Sequence, residues 1–204
     1  MAHDWKEAGL VLMRSAVQEG NINLPNVLTL TRILLIPVFV LLFVVPTPDR
    51  SLAAAVVFVI AAMTDLLDGY LARRRGQVTK LGRLLDPMAD KLLVLSALIV
   101  LVQVDRVGAL VAILIIAREV AVTGIRAIAA TEGMIISAEV TGKYKMALQV
   151  IAIVLLILEG TVLSEFGNVH LAGIVTLYFS VVLGYVSGVQ YVYSFWRQIN
   201  LKGL

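Results

Sequence analysis

Four aspartates in the first half of the chain have the spacing of a metal-binding site. Asp65 and Asp68 are three residues apart, while Asp86 and Asp90 are four residues apart. Residues three or four apart lie on one face of an α-helix, so each pair presents two carboxylates side by side. The stretch between the two pairs is short, which makes two such helices antiparallel neighbours. All four carboxylates can therefore converge in one pocket.

Converging carboxylates repel one another, and either protonation or divalent cations relieve this repulsion. Mg²⁺ and Mn²⁺ prefer carboxylate oxygens, and two such ions about 3.5–4 Å apart can hold the attacking and leaving oxygens of a phosphoryl transfer. Gly69 and Gly82 lie among the aspartates, and a missing Cβ lets a phosphate approach closely. Arg73 adds a planar donor fork for a phosphate. An isolated aspartate would be a solvated or capping residue, but this set predicts a two-metal phosphoryl-transfer site.

Composition indicates that the elements positioning these residues lie in a membrane. The chain has 204 residues, of which 60% are hydrophobic and 15% charged, and its mean hydropathy is +0.94. Soluble domains contain roughly 45–50% apolar and about 25% charged residues, so soluble, disordered and fibrous classes are excluded. The absence of cysteine excludes disulfides, a thiol nucleophile and a cysteine metal site. The two histidines, His3 and His170, lie far from the aspartates in sequence, which argues against histidine catalysis.

The predicted fold is all-α and polytopic, with six transmembrane helices in one domain over residues 23–204. A spanning helix needs about 20 mostly apolar residues. Six stretches fit, of which the fifth is the shortest: Val27–Val45, Leu52–Leu71, Leu84–Val104, Ala109–Ala130, Tyr144–Leu158 and Leu171–Tyr193. Residues 1–22 form an amphipathic juxtamembrane segment, for which we expect a short interfacial helix.

The distribution of Lys and Arg predicts that both termini face the cytoplasm. With that orientation, 11 basic residues lie on the cytoplasmic side, against only Arg50 and Arg106 on the opposite side. The 11 are Lys6, Arg14, Arg73, Arg74, Arg75, Lys80, Arg83, Lys143, Lys145, Arg197 and Lys202. The aspartates then lie at the cytoplasmic boundary of the cell membrane.

The segment from Asp65 to Asp90 resembles the signature of the CDP-alcohol phosphatidyltransferase family. Its pattern, D-x₂-D-G-x₂-A-R-x₈-G-x₃-D-x₃-D, has eight fixed residues over 26 positions, and all eight are present. The resemblance implies a six-helix membrane fold, a homodimer, and two divalent ions, Mg²⁺ or Mn²⁺. It also implies transfer of a phosphatidyl group from CDP-diacylglycerol to an alcohol, with release of CMP.

The resemblance also implies roles for individual residues. Asp65, Asp68 and Asp86 correspond to metal ligands, and Asp90 to the general base and a further metal ligand. The implied CDP-lipid site is formed by Asn26, Thr29, Gly69, Arg73 and Thr79.

A second group of residues resembles the branch of the family whose acceptor is glycerol 3-phosphate. These residues are Arg118-Glu119, Gly124-Ile-Arg126 and Gly142-Lys143-Tyr-Lys145. Arg118 and Arg126 are eight residues apart and so share a helix face. A cationic cluster of Arg118, Arg126, Lys143 and Lys145 suits a phosphorylated acceptor. The alternative is positive-inside anchoring together with a helix-end ion pair to Glu119.

Two other functions remain open from the sequence. The same chemistry with serine, inositol phosphate or phosphatidylglycerol as acceptor would need the same aspartates. A cation-coupled transporter could also use membrane carboxylates, but transporters place such groups near the midplane between internal repeats. Here the aspartates lie towards one surface, without a matching set in the second half of the chain. No feature indicates a nucleic-acid partner.

Gly184 and Gly188 form a GxxxG pair in the sixth apolar stretch. Such a pair is typical either of a helix–helix dimer face or of close packing within one chain. We favour packing within the chain for this pair, since the expected homodimer follows from the family resemblance and not from this motif.

Overall fold

The computed structural model describes residues 24–75, 80–131, 140–161 and 167–202. The side chains of 24–26, 65–75, 80–90, 140, 141, 143 and 200–202 are outside this description. Within the described ranges the chain is all-α, with six helices and no strand. They are α1 (Leu24–Phe43), α2 (Pro48–Arg75), α3 (Lys80–Gln103), α4 (Ala109–Thr131), α5 (Val140–Ile157) and α6 (Val169–Lys202).

Each predicted apolar stretch corresponds to one helix, which confirms the all-α class and the presence of six helices in the described residues. The largest differences between the predicted and the observed helix bounds are at polar helix ends. Helix α6 continues from the predicted end at Tyr193 to Lys202, and α2 continues from Leu71 to Arg75. Backbone hydrogen bonding does not need apolar side chains, and basic residues near a helix C-terminus are favourable. The predicted amphipathic helix in residues 1–22 lies outside the described residues.

Short polar motifs begin two of the helices. Thr47 precedes α2 and accepts a hydrogen bond at Oγ1 from the Arg50 amide at 3.4 Å, and Pro48 is the first helical residue. Asn168 precedes α6 and accepts at Oδ1 from the Leu171 amide at 2.9 Å. Both are N-caps that satisfy amides with no partner inside the helix, and proline suits a first helical position because its missing N–H is not needed there.

The last turn of α5 is closed by Arg106, which lies in the loop between α3 and α4. Its Nη1 donates to the carbonyls of Leu156 and Ile157 at 2.9 Å each, and its Nε is 3.6 Å from the Glu159 carboxylate. The guanidinium also lies 5.2 Å from the centre of the Phe43 ring. Burial lowers the pKa of Arg106 from its usual value, and Glu159 opposes this shift. The guanidinium stays charged at neutral pH, so it can cap the helix C-terminus.

The chain divides into two compact units. The first contains the described residues up to Val38 together with Val57–Leu93. The second contains Phe39–Val56 and the described residues from Val94 onward. In the second unit, α6 packs against α5 and against α4. Its core includes the fully buried side chains of Phe39, Phe43, Leu98, Leu101, Ile153, Leu156, Ile157 and Leu177.

Large apolar side chains on the helices are exposed. Leu34 is 62% exposed, Leu41 76%, Leu110 69%, Phe179 64% and Val189 67%. Contiguous apolar surface is unfavourable in water, so these faces fit a lipid environment. Among the described residues one helix segment, Val169–Ile199, is long and apolar enough to cross a membrane, and Val27–Phe43, Lys91–Gln103 and Tyr144–Ile157 are shorter apolar helices. The six-span topology and its orientation therefore stay predictions.

Candidate active site

The backbone places the four predicted metal ligands on two consecutive helices of the first unit. Asp65 and Asp68 lie in the C-terminal half of α2, and Asp86 and Asp90 lie in the N-terminal half of α3. This agrees with the prediction that each pair belongs to one helix. The side chains of these aspartates lie outside the described residues. The same holds for Asn26, Gly69 and Arg73 in their helices, and Thr79 lies outside the described residues altogether.

The donor chemistry of the four aspartates fits a pair of hard divalent ions. Each pair comes from one helix, and both helix segments belong to the same compact unit. Carboxylate oxygens are the ligands that Mg²⁺ and Mn²⁺ prefer. In the part of the chain whose side chains are described, His, Asp and Glu form no other group that could hold a metal. The metal site therefore remains the one predicted from the aspartates.

The buried side chain of Arg32 connects α1 to α2. It contacts α2 one helical turn before Asp65. Arg32 is fully buried in α1, and its Nε donates to the Ala61 carbonyl at 3.3 Å. The Thr64 hydroxyl donates to the same carbonyl at 2.7 Å. The sequence prediction did not assign Arg32 to the site, although a charge within an otherwise apolar segment is itself a signal of function or structure.

Thr29, a predicted nucleotide-binding residue, lies in the interior of the first unit. Its side chain is fully buried, and it precedes Arg32 by three residues on the same helix. Residues three apart share a helix face. Thr29 therefore belongs to the buried face of α1 that also carries Arg32, and its contact with a nucleotide stays a prediction.

In the second unit, one carboxylate joins two of the predicted acceptor-binding cations. The Glu119 Oε1 atom accepts a hydrogen bond from Arg118 Nη1 at 3.0 Å and forms a salt bridge with Lys145 Nζ. Arg118 and Glu119 belong to α4, whereas Lys145 belongs to α5. The side chains are 11%, 16% and 10% exposed for Arg118, Glu119 and Lys145. The ion pair with Glu119, raised as an alternative from the sequence, is thus present.

The glycine pair of α6 lies against these cations. Arg118 Nε donates to the Gly184 carbonyl at 2.8 Å. A Cβ added at Gly184 would lie 3.6 Å from Lys145 Cγ, and one added at Gly188 would lie 3.5 Å from Val122 Cγ2. Both positions therefore pack inside the chain, as we favoured from the motif. Small residues here let the long Arg118 and Lys145 side chains lie along the α6 backbone.

Arg126 is positioned differently from Arg118. It is exposed on α4, and its guanidinium lies 5.6 Å from the centre of the Tyr191 ring of α6. This distance is within the range of a cation–π interaction, which orients the guanidinium. The fourth predicted acceptor-binding residue, Lys143, lies in α5 with its side chain outside the described residues.

Two cavities of different size adjoin Arg118. The smaller has a volume of about 10 Å³ and is lined by Arg118, Glu119, Lys145, Gln149 and Ser180, among others. That volume holds about one water molecule. The larger, about 380 Å³, is lined by apolar residues of α4 and α6 together with Arg118. A phosphate group is larger than a water molecule, so the space inside the Glu119 cluster does not admit one.

Comparison with known proteins matches residues 22–186 to the model of the family described as CDP-alcohol phosphatidyltransferase. A protein from Bacillus subtilis is 42% identical over 192 residues, covering 87% of this chain and 97% of the relative. One from Rickettsia bellii is 38% identical over 169 residues, covering 83% and 93%. One from Yersinia enterocolitica is 38% identical over 182 residues, covering 87% and 97%. Each of the three is named CDP-diacylglycerol–glycerol-3-phosphate 3-phosphatidyltransferase.

Proposed function

Because the chain belongs to the CDP-alcohol phosphatidyltransferase family, we propose that it transfers a phosphatidyl group from CDP-diacylglycerol to glycerol 3-phosphate. The products are phosphatidylglycerophosphate and CMP. The observation that carries this proposal is the similarity to enzymes named for that reaction along nearly their whole length, with 42% identity to the Bacillus subtilis protein. The complete aspartate motif from Asp65 to Asp90 supports the phosphatidyl-transfer chemistry.

Members of this family generally depend on divalent metal ions. We assign Asp65, Asp68, Asp86 and Asp90 as the residues that hold two Mg²⁺ or Mn²⁺ ions. When bound, such ions neutralise the charge of the pyrophosphate and of the oxygens that change bonding during the displacement. Asn26, Thr29, Gly69, Arg73 and Thr79 are assigned to the CDP-lipid itself.

The reaction is a single in-line displacement in which Asp90 acts as the general base. The Asp90 carboxylate takes the proton from the primary hydroxyl of glycerol 3-phosphate. The hydroxyl oxygen then forms a bond to the β-phosphorus, and the bond from that phosphorus to the bridging oxygen breaks. CMP leaves with the bridging oxygen. A covalent protein intermediate is not needed, so the chain contributes mainly placement and electrostatic stabilisation.

The negative charge of the acceptor's phosphate accounts for the four cationic residues assigned to the acceptor site. Glycerol 3-phosphate carries a phosphate that neutral alcohols such as serine lack. Arg118, Arg126, Lys143 and Lys145 are assigned to hold it. Guanidinium groups bind phosphate oxygens through a planar fork of donors, and lysine adds a compact charge. The exposed Arg126, oriented by Tyr191, is the described residue best placed to meet an acceptor that arrives from water.

We further propose a multi-pass protein of the cell membrane, with both termini and the active site facing the cytoplasm. The composition, the exposed apolar side chains and the 11 basic residues on the proposed cytoplasmic side support this arrangement. CDP-diacylglycerol then enters from the inner leaflet, whereas the water-soluble acceptor enters from the cytoplasm. The expected assembly is a homodimer.

The test is CMP release by the purified protein from CDP-diacylglycerol with Mg²⁺. Glycerol 3-phosphate, serine, inositol phosphate and phosphatidylglycerol are offered in separate reactions. We expect release with glycerol 3-phosphate alone. Release with another acceptor would keep the phosphatidyl transfer but overturn the acceptor and the assignment of the cationic residues. A protein that releases no CMP with any acceptor would contradict the proposal and favour a cation-coupled transporter.

A further inference from the structure

Glu119 connects α4 to α5 through an ion pair, and its neighbour Arg118 connects α4 to α6. The Glu119 carboxylate on α4 contacts Arg118 of the same helix and Lys145 of α5. Arg118 in turn donates from Nε to the Gly184 carbonyl of α6 at 2.8 Å. A second contact, from the Tyr185 hydroxyl to the Leu114 carbonyl at 3.1 Å, joins α6 to α4 one turn earlier along α4.

The positions of Arg118 and Lys145 depend on the negative charge of Glu119. Arg118 and Lys145 are mostly buried, and two cations that close repel one another and lose solvation. A shared carboxylate removes most of this cost, because buried ion pairs are favourable only when both partners are present. The carboxylate therefore determines where both cations can lie.

The space inside the cluster supports a positioning role for Glu119. The cavity of about 10 Å³ has room for one water molecule, and Gln149, which is 3% exposed, lies on its wall. A phosphate group is too large to bind between Glu119 and the cations. In this arrangement, a phosphate held by Arg118 and Lys145 contacts them from outside the cavity, with Glu119 still paired to both.

We propose that Glu119 is a positioning residue of the acceptor site, which fixes Arg118 and Lys145 so that they meet the phosphate of the acceptor in one geometry. This inference rests on the proposed function, because it concerns the site for glycerol 3-phosphate. Long side chains lose much rotamer freedom when they are ordered. Glu119 orders the Arg118 and Lys145 side chains before the acceptor binds. The entropy cost of ordering them therefore does not reduce the affinity for the acceptor.

The experiment compares Glu119→Gln with a matched variant elsewhere in the second unit. Glutamine keeps the shape of the side chain and removes its charge. Glu159→Gln is the control, because Glu159 also contacts two side chains, Arg106 at 3.6 Å and His170 at 2.9 Å. Glu119→Asp restores the charge with a shorter reach. Each full-length protein is assayed for CMP release over a range of glycerol 3-phosphate and CDP-diacylglycerol concentrations, and its thermal unfolding is measured in the same detergent.

For Glu119→Gln we expect the KM for glycerol 3-phosphate to rise about tenfold. The KM for CDP-diacylglycerol should stay unchanged, and kcat should change much less than the acceptor KM. Glu119→Asp should recover part of the lost acceptor affinity. Glu159→Gln should leave both KM values unchanged, even where its unfolding temperature falls as much as that of Glu119→Gln.

An acceptor KM that is unchanged or lower in Glu119→Gln would overturn the positioning role. So would an equal rise of both KM values that follows the loss of thermal stability, since that pattern indicates general disruption of the fold. Wild-type protein that releases no CMP with glycerol 3-phosphate would overturn the proposed function itself. The two failures are thus separated by the behaviour of the wild-type protein.

Discussion

Arg32 of α1 donates a hydrogen bond from Nε to the Ala61 carbonyl of α2 at 3.3 Å, one helical turn before Asp65. Its side chain is fully buried, and a guanidinium remains protonated in proteins. A permanent positive charge therefore lies at the α1–α2 contact of the first unit. We interpret this contact as one that holds α2 in place next to the proposed metal ligands.

Arg32→Lys should lower the stability of the protein, because lysine keeps the charge but has no Nε to donate to Ala61. The loss of one buried hydrogen bond corresponds to about 1–3 kcal/mol of unfolding free energy. Thermal unfolding in detergent measures the effect as a lower midpoint temperature. Arg50→Lys is the control, since Arg50 is exposed, and it should shift the midpoint little. Equal midpoints for Arg32→Lys and wild type would show that the contact with Ala61 does not stabilise the fold.

Removal of divalent ions should abolish CMP release, because the aspartates without metal ions cannot neutralise the negative charge of the pyrophosphate. Excess EDTA is added to the purified protein, and Mg²⁺ or Mn²⁺ is then restored in excess. We expect complete loss and recovery of activity. Mn²⁺ binding followed by electron paramagnetic resonance should show weaker binding in Asp65→Asn and unchanged binding in Asp105→Asn, a control residue in the α3–α4 loop. Activity that persists in excess chelator would contradict the metal assignment.

Asp90→Asn should stop turnover while the protein still binds CDP-diacylglycerol. An amide cannot accept the proton of the acceptor hydroxyl, but it keeps the shape of the side chain and an oxygen for a metal ion. CMP release and binding of the CDP-lipid are measured on the same preparation. If lipid binding is lost together with turnover, the main role of Asp90 is that of a metal ligand and not that of a base.

Arg126→Ala should raise the KM for glycerol 3-phosphate and leave the KM for CDP-diacylglycerol unchanged. The variant removes a guanidinium that lies 5.6 Å from the Tyr191 ring centre. A charge-assisted contact to the phosphate corresponds to about 1.5–3 kcal/mol, so the rise should exceed tenfold. Arg197→Ala removes an exposed cation of a different helix, α6, and serves as control. Similar acceptor KM values for Arg126→Ala and wild type would remove Arg126 from the acceptor site.

The sequence predicts the helices well because apolar segments are a local property. All six predicted stretches are helical, and the differences lie at polar ends such as Tyr193–Lys202 of α6. The placement of the aspartate pairs on α2 and α3 was predictable for the same reason. Spacing within one helix determines which residues share a face.

Contacts between helices were harder to predict because they depend on packing between distant segments. Arg32 is recognisable in the sequence as a charge inside an apolar stretch, but its contact with Ala61, 29 residues later, is not. The Glu119 ion pair was one of two alternatives, and the sequence could not decide that Lys145 of α5 reaches the carboxylate of α4. The pairing of Gly184 with Arg118 across 66 residues likewise follows only from the packing of α4 on α6.

Gly173 of α6 lies close to α5, and replacing it by alanine should destabilise the second unit. A Cβ at this position would lie 2.8 Å from Leu156 Cγ and 3.3 Å from Leu155 Cβ. The contact with Leu156 is shorter than carbon atoms tolerate and the contact with Leu155 is unusually tight, so the two helices must separate or Leu156 must change rotamer. Forcing an extra methyl group into a packed interface costs about 1–3 kcal/mol.

Gly124→Ala is the matched control for Gly173→Ala, because a Cβ at Gly124 of α4 meets nothing within 4 Å. Alanine favours the helix over glycine by about 0.5–1 kcal/mol, so this variant should unfold at the same or a higher temperature than wild type. Thermal unfolding of both variants in one detergent separates the steric effect from the helix preference. A Gly173→Ala protein that is as stable as Gly124→Ala would show that α5 and α6 do not pack as closely as the distances to Leu155 and Leu156 require.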